Sequence, residues 1–196
     1  MDGHDVRRYR QKSLRQKLGY APQQAVLFTG TVRTNVTYGG TGDAADEAVT
    51  KALEIAQAYE FVSKMQDGMD GAVTRGGTNL SGGQKQRISV ARAVYRHPEI
   101  YIFDDTFSAL DYKTDRALRA ALKERTEGIT TFIVAQRIGT IREADKILVL
   151  DDGKIVGSGT HRELLENCDV YREIAHTQLS EEELQEWQKT PIPSDR

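Results

Sequence analysis

Near the middle of the sequence, a continuous apolar run is followed directly by two carboxylates. Residues 100–103 (IYIF) precede Asp104 and Asp105, and an uninterrupted apolar run of this kind is typical of a strand buried on both faces of a sheet. A helical pattern that ends before Pro98 precedes the run, and a second one over residues 114–126 follows it. Alternating helices and strands predict an α/β fold with a mainly parallel core sheet.

The other elements follow from apolar spacing and from turn residues. Further strands are predicted within residues 18–28, interrupted at Pro22, and at 130–135 and 146–150. Helices are predicted over 43–58 with Asp43 as cap, from Gly82 to Pro98, and after the capping box of Thr160 and Glu163. We expect one incomplete domain over residues 1–179, with a helical lobe at 43–97 and the rest of the core at 98–179. Residues 180–196 are polar and predict a fraying tail.

Composition narrows the class of protein. The chain has 196 residues, 38% of them hydrophobic and 29% charged, which is typical of a globular domain. Its net charge of −2 gives no electrostatic reason to expect a nucleic-acid partner. The one cysteine, Cys168, forms no internal disulfide and is interpreted as a small, partly buried side chain in a reducing compartment.

The pentapeptide Leu80-Ser81-Gly82-Gly83-Gln84 stands where a glycine-rich passage meets the predicted second helix. Its two glycines allow a close backbone approach, and a helix N-terminus offers unpaired N–H groups to an anion. Ser81 adds a hydroxyl donor. The alternative is an ordinary glycine turn before a helix, but the five residues together favour a phosphate site.

With this pentapeptide, the sequence resembles the ABC ATPases, whose signature it is, in the exporter branch of multidrug and lipid type. Further segments in family order carry the resemblance: residues 21–23 (APQ), 26–32 (VLFTGTV), 100–105 (IYIFDD), 108–111 (SALD) and 159–165 (GTHRELL). The resemblance implies a P-loop ATPase core with an inserted α-helical lobe, and ATP and Mg²⁺ as cofactors. It disfavours the chromosome and repair members, whose signature usually ends in glutamate instead of Gln84.

The resemblance also assigns roles to individual residues. Asp104 is expected to hold Mg²⁺ through water, although an aspartate that merely ends a strand is the alternative. Gln23 is expected to contact the same metal. The remaining expected ATP contacts are Ser81, Gly82, Gly83, Gln84 and Asp111. Two such domains are expected to pack head to tail, joined to transmembrane domains at the cytoplasmic face of the membrane.

Two positions depart from the family pattern. Asp105 stands where active members have a glutamate as general base, and its side chain is one methylene shorter. Gln136 stands where the family has a histidine that contacts the γ-phosphate; glutamine donates a hydrogen bond but lacks the proton chemistry of imidazole. Both departures together predict a site that binds ATP and hydrolyses it slowly, in one half of a heterodimer. A non-catalytic regulatory or remnant subunit is the alternative, and a soluble DNA- or ribosome-associated ATPase is a weaker one.

No phosphate loop of the form G-x-x-x-x-G-K-[ST] occurs in the sequence. The one Gly-Lys pair, Gly153-Lys154, is followed by Ile155. We therefore expect a domain cut at its N-terminus, without its first strands, and no ATP hydrolysis by this chain alone. Arg87 and Arg92, on the signature helix, are interpreted as solvated or paired charges and not as ligands.

Overall fold

The computed structural model describes Met1, residues 3–40 and 45–180, Glu182 and Leu184. The chain divides into two compact units, Met1–Val134 and Ala135–Arg196. The helices of the first unit are α1 (Gln11–Gln16), α2 (Val32–Val36), α3 (Asp46–Ile55), α4 (Tyr59–Ser63), α5 (Gly82–Tyr95) and α6 (Tyr112–Arg125). Its strands are β1 (Leu18–Ala21), β2 (Gly30–Thr31), β3 (Ala72–Val73), β4 (Ile100–Asp104) and β5 (Thr130–Val134). Short 3₁₀ turns lie at Val6–Arg8, Gly68–Asp70 and Arg75–Gly77.

A three-stranded parallel sheet in the order β1-β4-β5 forms the centre of the first unit. Tyr20 lies opposite Ile102, and Ile102 lies opposite Phe132. Because the strands are parallel, the segments that follow β1 and β4 leave the sheet at the same edge. The predicted α/β class and its parallel sheet are confirmed, and this edge is where the candidate site lies.

Burial of the sheet differs between its two faces. Tyr101 and Phe103 are at most 1% exposed, as the sequence predicts. On the opposite face Ile102 is only half-buried, and its neighbours Tyr20 and Phe132 are 49% and 56% exposed. The prediction that residues 100–103 are buried on both faces is therefore wrong for one face, because the described residues cover it only in part.

The helices of the first unit form a shared core with the covered face. Helix α5 begins at Gly82 and ends at Tyr95, which confirms the prediction for this segment. The predicted helix over residues 43–58 is shorter: α3 ends at Ile55, and Gln57 has a φ of 55° that breaks the helix before α4. The predicted cap at Asp43 lies outside the described residues.

The described part of the second unit contains a hairpin and three helices. Its elements are α7 (Ile138–Ile141), β6 (Ile147–Asp151), β7 (Lys154–Gly159), α8 (His161–Asn167) and α9 (Asp169–Gln178). Strand β6, expected in the parallel core, pairs antiparallel with β7 instead, and β7 is not predicted. The cause is the turn at Asp152-Gly153: both residues have positive φ, 45° and 74°, the conformation of a two-residue hairpin turn.

The capping box of Thr160 and Glu163 at the start of α8 is confirmed. Cys168 is buried, at 5% exposed, in agreement with its interpretation as a packed side chain. Most of the predicted tail at 180–196 lies outside the described residues. Among the described helices, none combines the length and the apolar character that crossing a bilayer requires.

Candidate ATP site

The signature pentapeptide forms the N-terminus of α5. The Ser81 hydroxyl accepts a hydrogen bond from the Gln84 amide at 3.3 Å, and the Gln84 Oε1 accepts one from the Ser81 amide at 2.9 Å. This reciprocal pair is a capping box, and it explains why the helix begins here. The amides of Gly82 and Gly83 lie outside the box, at the positive end of the helix dipole. The arrangement therefore presents two backbone donors and a hydroxyl to an anion.

The two glycines differ in their surroundings. A Cβ on Gly82 would meet nothing within 4 Å, whereas one on Gly83 would lie 3.4 Å from the Ala109 carbonyl oxygen and 3.5 Å from Leu110 Cδ2. The segment 108–111 thus packs beside the signature. Gly82 faces open space, as a residue that approaches a ligand would.

The acidic edge of the sheet brings two predicted site residues together. The Gln23 Nε2 donates to the Asp105 Oδ2 at 3.2 Å, across the gap between the ends of β1 and β4. The Asp105 amide donates to the Val134 carbonyl oxygen at 2.8 Å. Its φ of 41° is in the left-handed region, which aspartate tolerates better than most residues. The backbone turns sharply after β4, and the carboxylate lies beside Gln23.

Asp104, the last residue of β4, has a partner that the sequence analysis does not identify. The Tyr20 hydroxyl donates to the Asp104 Oδ2 at 3.1 Å. Burial and this carboxylate raise the pKa of Tyr20, so the phenol stays protonated as a donor. The parallel register contains the signal, since it pairs Tyr20 with Ile102, two residues before Asp104.

Asp111 and Gln136 lie on other elements. Asp111 is exposed and caps α6, accepting a hydrogen bond from the Thr114 amide at 3.0 Å. Hydrogen bonding from Thr114 holds the pKa of Asp111 below its usual range. Gln136 belongs to the second unit, where its side chain is exposed and its carbonyl oxygen accepts from Gln178 Nε2 at 2.9 Å. Gln178 also accepts from the Ile138 amide, so it fixes the backbone on both sides of Arg137.

The environment of Arg92 contradicts the interpretation of this residue as a solvated or paired charge. Arg92 is half-buried, and its guanidinium donates to the carbonyl oxygens of Val26 and Asn35 and to the side-chain oxygen of Asn35. Burial lowers its pKa. The flanking Ala91 and Ala93 are both buried, and this apolar context is the signal that the sequence offers. Arg87 is likewise half-buried and donates to the carbonyl oxygens of Gln57 and Gly83.

The donor set fits ATP with Mg²⁺ in part. Asp104 supplies a carboxylate, and Gln23 keeps its Oε1 free to act as ligand while its amide nitrogen is held by Asp105. Such hard oxygen donors are those that Mg²⁺ prefers. The amides at the start of α5 suit a phosphate. The 196 residues contain no phosphate loop, so they supply only some of the contacts that a triphosphate requires.

A parallel α/β core with acidic residues at the end of a central strand and a serine-capped helix that begins Gly-Gly is characteristic of a class of ATP-binding domains. A profile of the family described as ABC transporter matches residues 1–108. The chain belongs to the ABC transporter family.

Individual relatives agree with this assignment. The chain is 46% identical over 180 residues to an uncharacterized ABC transporter ATP-binding protein of Mycobacterium tuberculosis (strain ATCC 25618 / H37Rv), covering 91% of this chain and 31% of the relative. It is 41% identical to the ATP-dependent lipid A-core flippase of Escherichia coli (strain K12), covering 92% and 31%. A solved bacterial Atm1-family ABC exporter with ATP bound superposes with a TM-score of 0.87 at 37% identity, covering 92% and 32%. The chain therefore spans about a third of the length of these relatives.

Proposed function

We propose that this chain is part of the nucleotide-binding domain of an ABC exporter, in which ATP binding and hydrolysis drive transport across a membrane. The observation that carries the proposal is the meeting of Gln23 and Asp105 at 3.2 Å, at the sheet edge where Asp104 ends β4. The capped signature at the start of α5 supports it independently. The similarity to exporters of known type favours export over other uses of ATP.

Different residues at the sheet edge act on the metal and on the attacking water. Asp104 and Gln23 would hold Mg²⁺, which would neutralise charge on the β- and γ-phosphates. Asp105 orients the attacking water and accepts its proton. Aspartate reaches roughly an ångström less far than glutamate, and a base must lie within hydrogen-bond distance of its water. We therefore expect slow hydrolysis at this site.

The signature serves a different nucleotide from the acidic edge. In a head-to-tail dimer, Ser81, Gly82, Gly83 and Gln84 contact the ATP that the second domain holds, and Asp111 lies at the same interface. The intact signature then completes a fast site on the partner, while Asp105 and Gln136 belong to a slow one. The dimer is accordingly a heterodimer, joined to transmembrane domains and held at the cytoplasmic face of the membrane.

Replacement of the partner's catalytic glutamate by glutamine tests this proposal in the purified heterodimer. We expect nearly all ATP turnover to disappear, because the site with Asp105 contributes little. Unchanged turnover would show that the slow site has been assigned to the wrong chain. By itself, the 196-residue chain is expected to bind Mg-ATP weakly and to hydrolyse none, and a micromolar affinity in a calorimetric titration contradicts that expectation.

The alternative is a regulatory subunit that hydrolyses nothing, which the departures at Asp105 and Gln136 favour. A single-turnover measurement in the same heterodimer distinguishes the two hypotheses: a regulatory subunit shows no hydrolysis at its own site, whereas a slow site shows some. A nucleic-acid-associated ATPase is disfavoured by the net charge of −2. Co-purification with membranes and not with nucleic acid distinguishes that third reading.

A further inference from the structure

The loop that carries Gln23 is held mainly by side chains from other elements. Residues 22–29 leave β1 and form no sheet pairing before β2. The backbone polar groups of such a segment require other partners when they approach the core. Two of these partners come from the signature helix α5: Gln86 Nε2 donates to the Pro22 carbonyl oxygen at 2.9 Å, and Arg92 Nη1 donates to the Val26 carbonyl oxygen at 2.9 Å.

Arg92 connects this loop to a buried amide. Its Nε donates to the Asn35 carbonyl oxygen at 2.8 Å, and its Nη2 donates to the Asn35 Oδ1 at 3.0 Å. The guanidinium also lies over two aromatic rings, 5.2 Å from the centroid of Phe28 and 5.7 Å from that of Tyr38. A planar guanidinium with several fixed donors satisfies such a set, and a lysine ammonium does not.

Asn35 also holds the loop. We call the contacts that Gln86, Arg92 and Asn35 make with residues 22–29 the clamp. Asn35 is 1% exposed, and it accepts from the Phe28 amide and donates to the Phe28 carbonyl oxygen, each at 2.8 Å. At the beginning of the loop, the buried Thr106 hydroxyl donates to the Ala21 carbonyl oxygen at 3.0 Å. Both ends of the loop are therefore fixed, and the side chains from α5 act on either side of Gln23.

We propose that Gln86 and Arg92 are positioning residues, which hold the Gln23 loop on the signature helix so that Gln23 stays within reach of Asp105. The role of Gln23 at the metal rests on the function proposed above; the clamp itself does not.

Hydrogen exchange on the 196-residue chain tests the clamp without ATP. We compare Arg92→Lys and Gln86→Met with wild type. The controls are Arg96→Lys, which changes the arginine directly after α5 that donates to the Arg15 carbonyl oxygen, and Ile88→Val, which removes a methylene group from a fully buried side chain of α5. In both test variants the backbone amides of residues 23–29 are expected to exchange about tenfold faster than in wild type, while α3 and α6 keep their rates. In neither control do we expect the loop amides to be accelerated more than those of α3 and α6.

Two results overturn the proposal. If the loop amides of Arg92→Lys and Gln86→Met exchange at the wild-type rate, the contacts of Arg92 and Gln86 do not fix the loop. An equal acceleration in the loop, α3 and α6, matched by Ile88→Val, shows a contribution to general stability alone.

A second readout in the assembled transporter connects the clamp to the metal. With the partner's fast site inactivated, we expect Arg92→Lys to raise the Mg²⁺ concentration for half-maximal single-turnover hydrolysis at this chain's own site about threefold to tenfold, while the ATP concentration for half-maximal rate at saturating Mg²⁺ stays unchanged. Faster loop exchange without a change in Mg²⁺ dependence contradicts the positioning of Gln23 but leaves the exporter assignment standing. A transporter without ATP turnover in the wild type overturns the proposed function instead, and the exchange result is unaffected.

Discussion

The amide nitrogen of Gln23 lies 3.2 Å from a carboxylate oxygen of Asp105, although the two residues are 82 positions apart in the sequence. Parallel pairing of β1 with β4 creates this contact, because both strands end at the same edge of the sheet. The contact leaves the Gln23 oxygen available to a metal and the second Asp105 oxygen available to water. The site is thus arranged by topology, and in the proposed function its rate of hydrolysis depends on the length of the Asp105 side chain.

Restoring that length is expected to restore hydrolysis. In the assembled transporter, the double variant Asp105→Glu with Gln136→His should raise turnover at this chain's own site at least about tenfold, since a positioned base contributes about 10²–10⁴. The measurement is single-turnover hydrolysis with the partner's fast site inactivated. Asp105→Asn is the matched control and should show no rise. Equal rates for the double variant and wild type contradict the interpretation of these two positions.

The hydroxyl of Ser81 is expected to have two separable roles. Ser81→Ala removes the cap of α5 and should cost about 1 kcal/mol of unfolding free energy, measured by urea denaturation. Thr160→Ala removes the equivalent cap of α8 and should cost a similar amount. Of these two variants, only Ser81→Ala should also lower ATP turnover in the assembled protein. Ser81→Thr keeps a capping hydroxyl and should therefore be more stable than Ser81→Ala. A loss of turnover in Thr160→Ala as well would assign the effect to stability alone.

Close packing at Gly19 predicts a stability effect without a functional one. A Cβ at this position would lie 2.6 Å from Pro98 Cγ and 3.0 Å from the Ala93 carbonyl oxygen. Gly19→Ala should therefore reduce the unfolding free energy by about 1–3 kcal/mol, as overpacking does. The control is Gly139→Ala in α7, where a Cβ meets nothing within 4 Å and the helix should be stabilised slightly. Equal thermal midpoints for Gly19→Ala and wild type contradict the packing described.

Acid should weaken the second unit through His161. This side chain is 2% exposed, and its Nδ1 lies 2.7 Å from the Tyr171 hydroxyl oxygen. Burial lowers the pKa of His161 from 6.5 and raises that of Tyr171 to about 12. The folded chain thus binds fewer protons than the unfolded one, so stability is full above pH 6.5 and falls as the pH drops below it towards the folded pKa.

The variant His161→Asn keeps a polar partner for Tyr171 and removes this titration. Its thermal midpoint should fall less than that of wild type between pH 7.5 and pH 5.5, and the exposed His176→Asn serves as control. Burial also lowers the pKa of His97, so part of the acid loss should remain. Parallel curves for wild type and His161→Asn exclude His161 as the source.

Local chemistry accounts for the elements that the sequence predicts well. Helix α5 is defined by a capping box at Ser81 and a stop before Pro98, and both signals act within a few residues. For the hairpin of β6 and β7, the sequence predicts the first strand and the turn at Asp151-Asp152-Gly153 but not the second strand, because an apolar run does not reveal the direction of its partner. The fold class could be predicted, while the pairing of β6 could not.

The positioning contacts were beyond sequence reasoning for a different reason. Arg92 and Val26 are 66 positions apart. Two of the oxygens to which Arg92 donates are backbone carbonyl oxygens, and because every residue has one, the sequence does not indicate which of them Arg92 contacts. Tyr20 became a partner of Asp104 through the strand register. Motifs identify ligands, but the side chains that hold them follow from long-range packing.

The most direct test compares Gly82→Asp with Asp105→Asn, each made in this chain, by measuring steady-state ATP turnover of the assembled transporter. Among the described residues, a Cβ on Gly82 would meet nothing within 4 Å, and an aspartate in the first helical turn interacts favourably with the helix dipole. Gly82→Asp therefore keeps the fold while placing a carboxylate against the partner's phosphates. We expect Gly82→Asp to abolish most turnover and Asp105→Asn to leave it nearly unchanged. The reverse pattern, with loss in Asp105→Asn and activity in Gly82→Asp, would contradict this expectation.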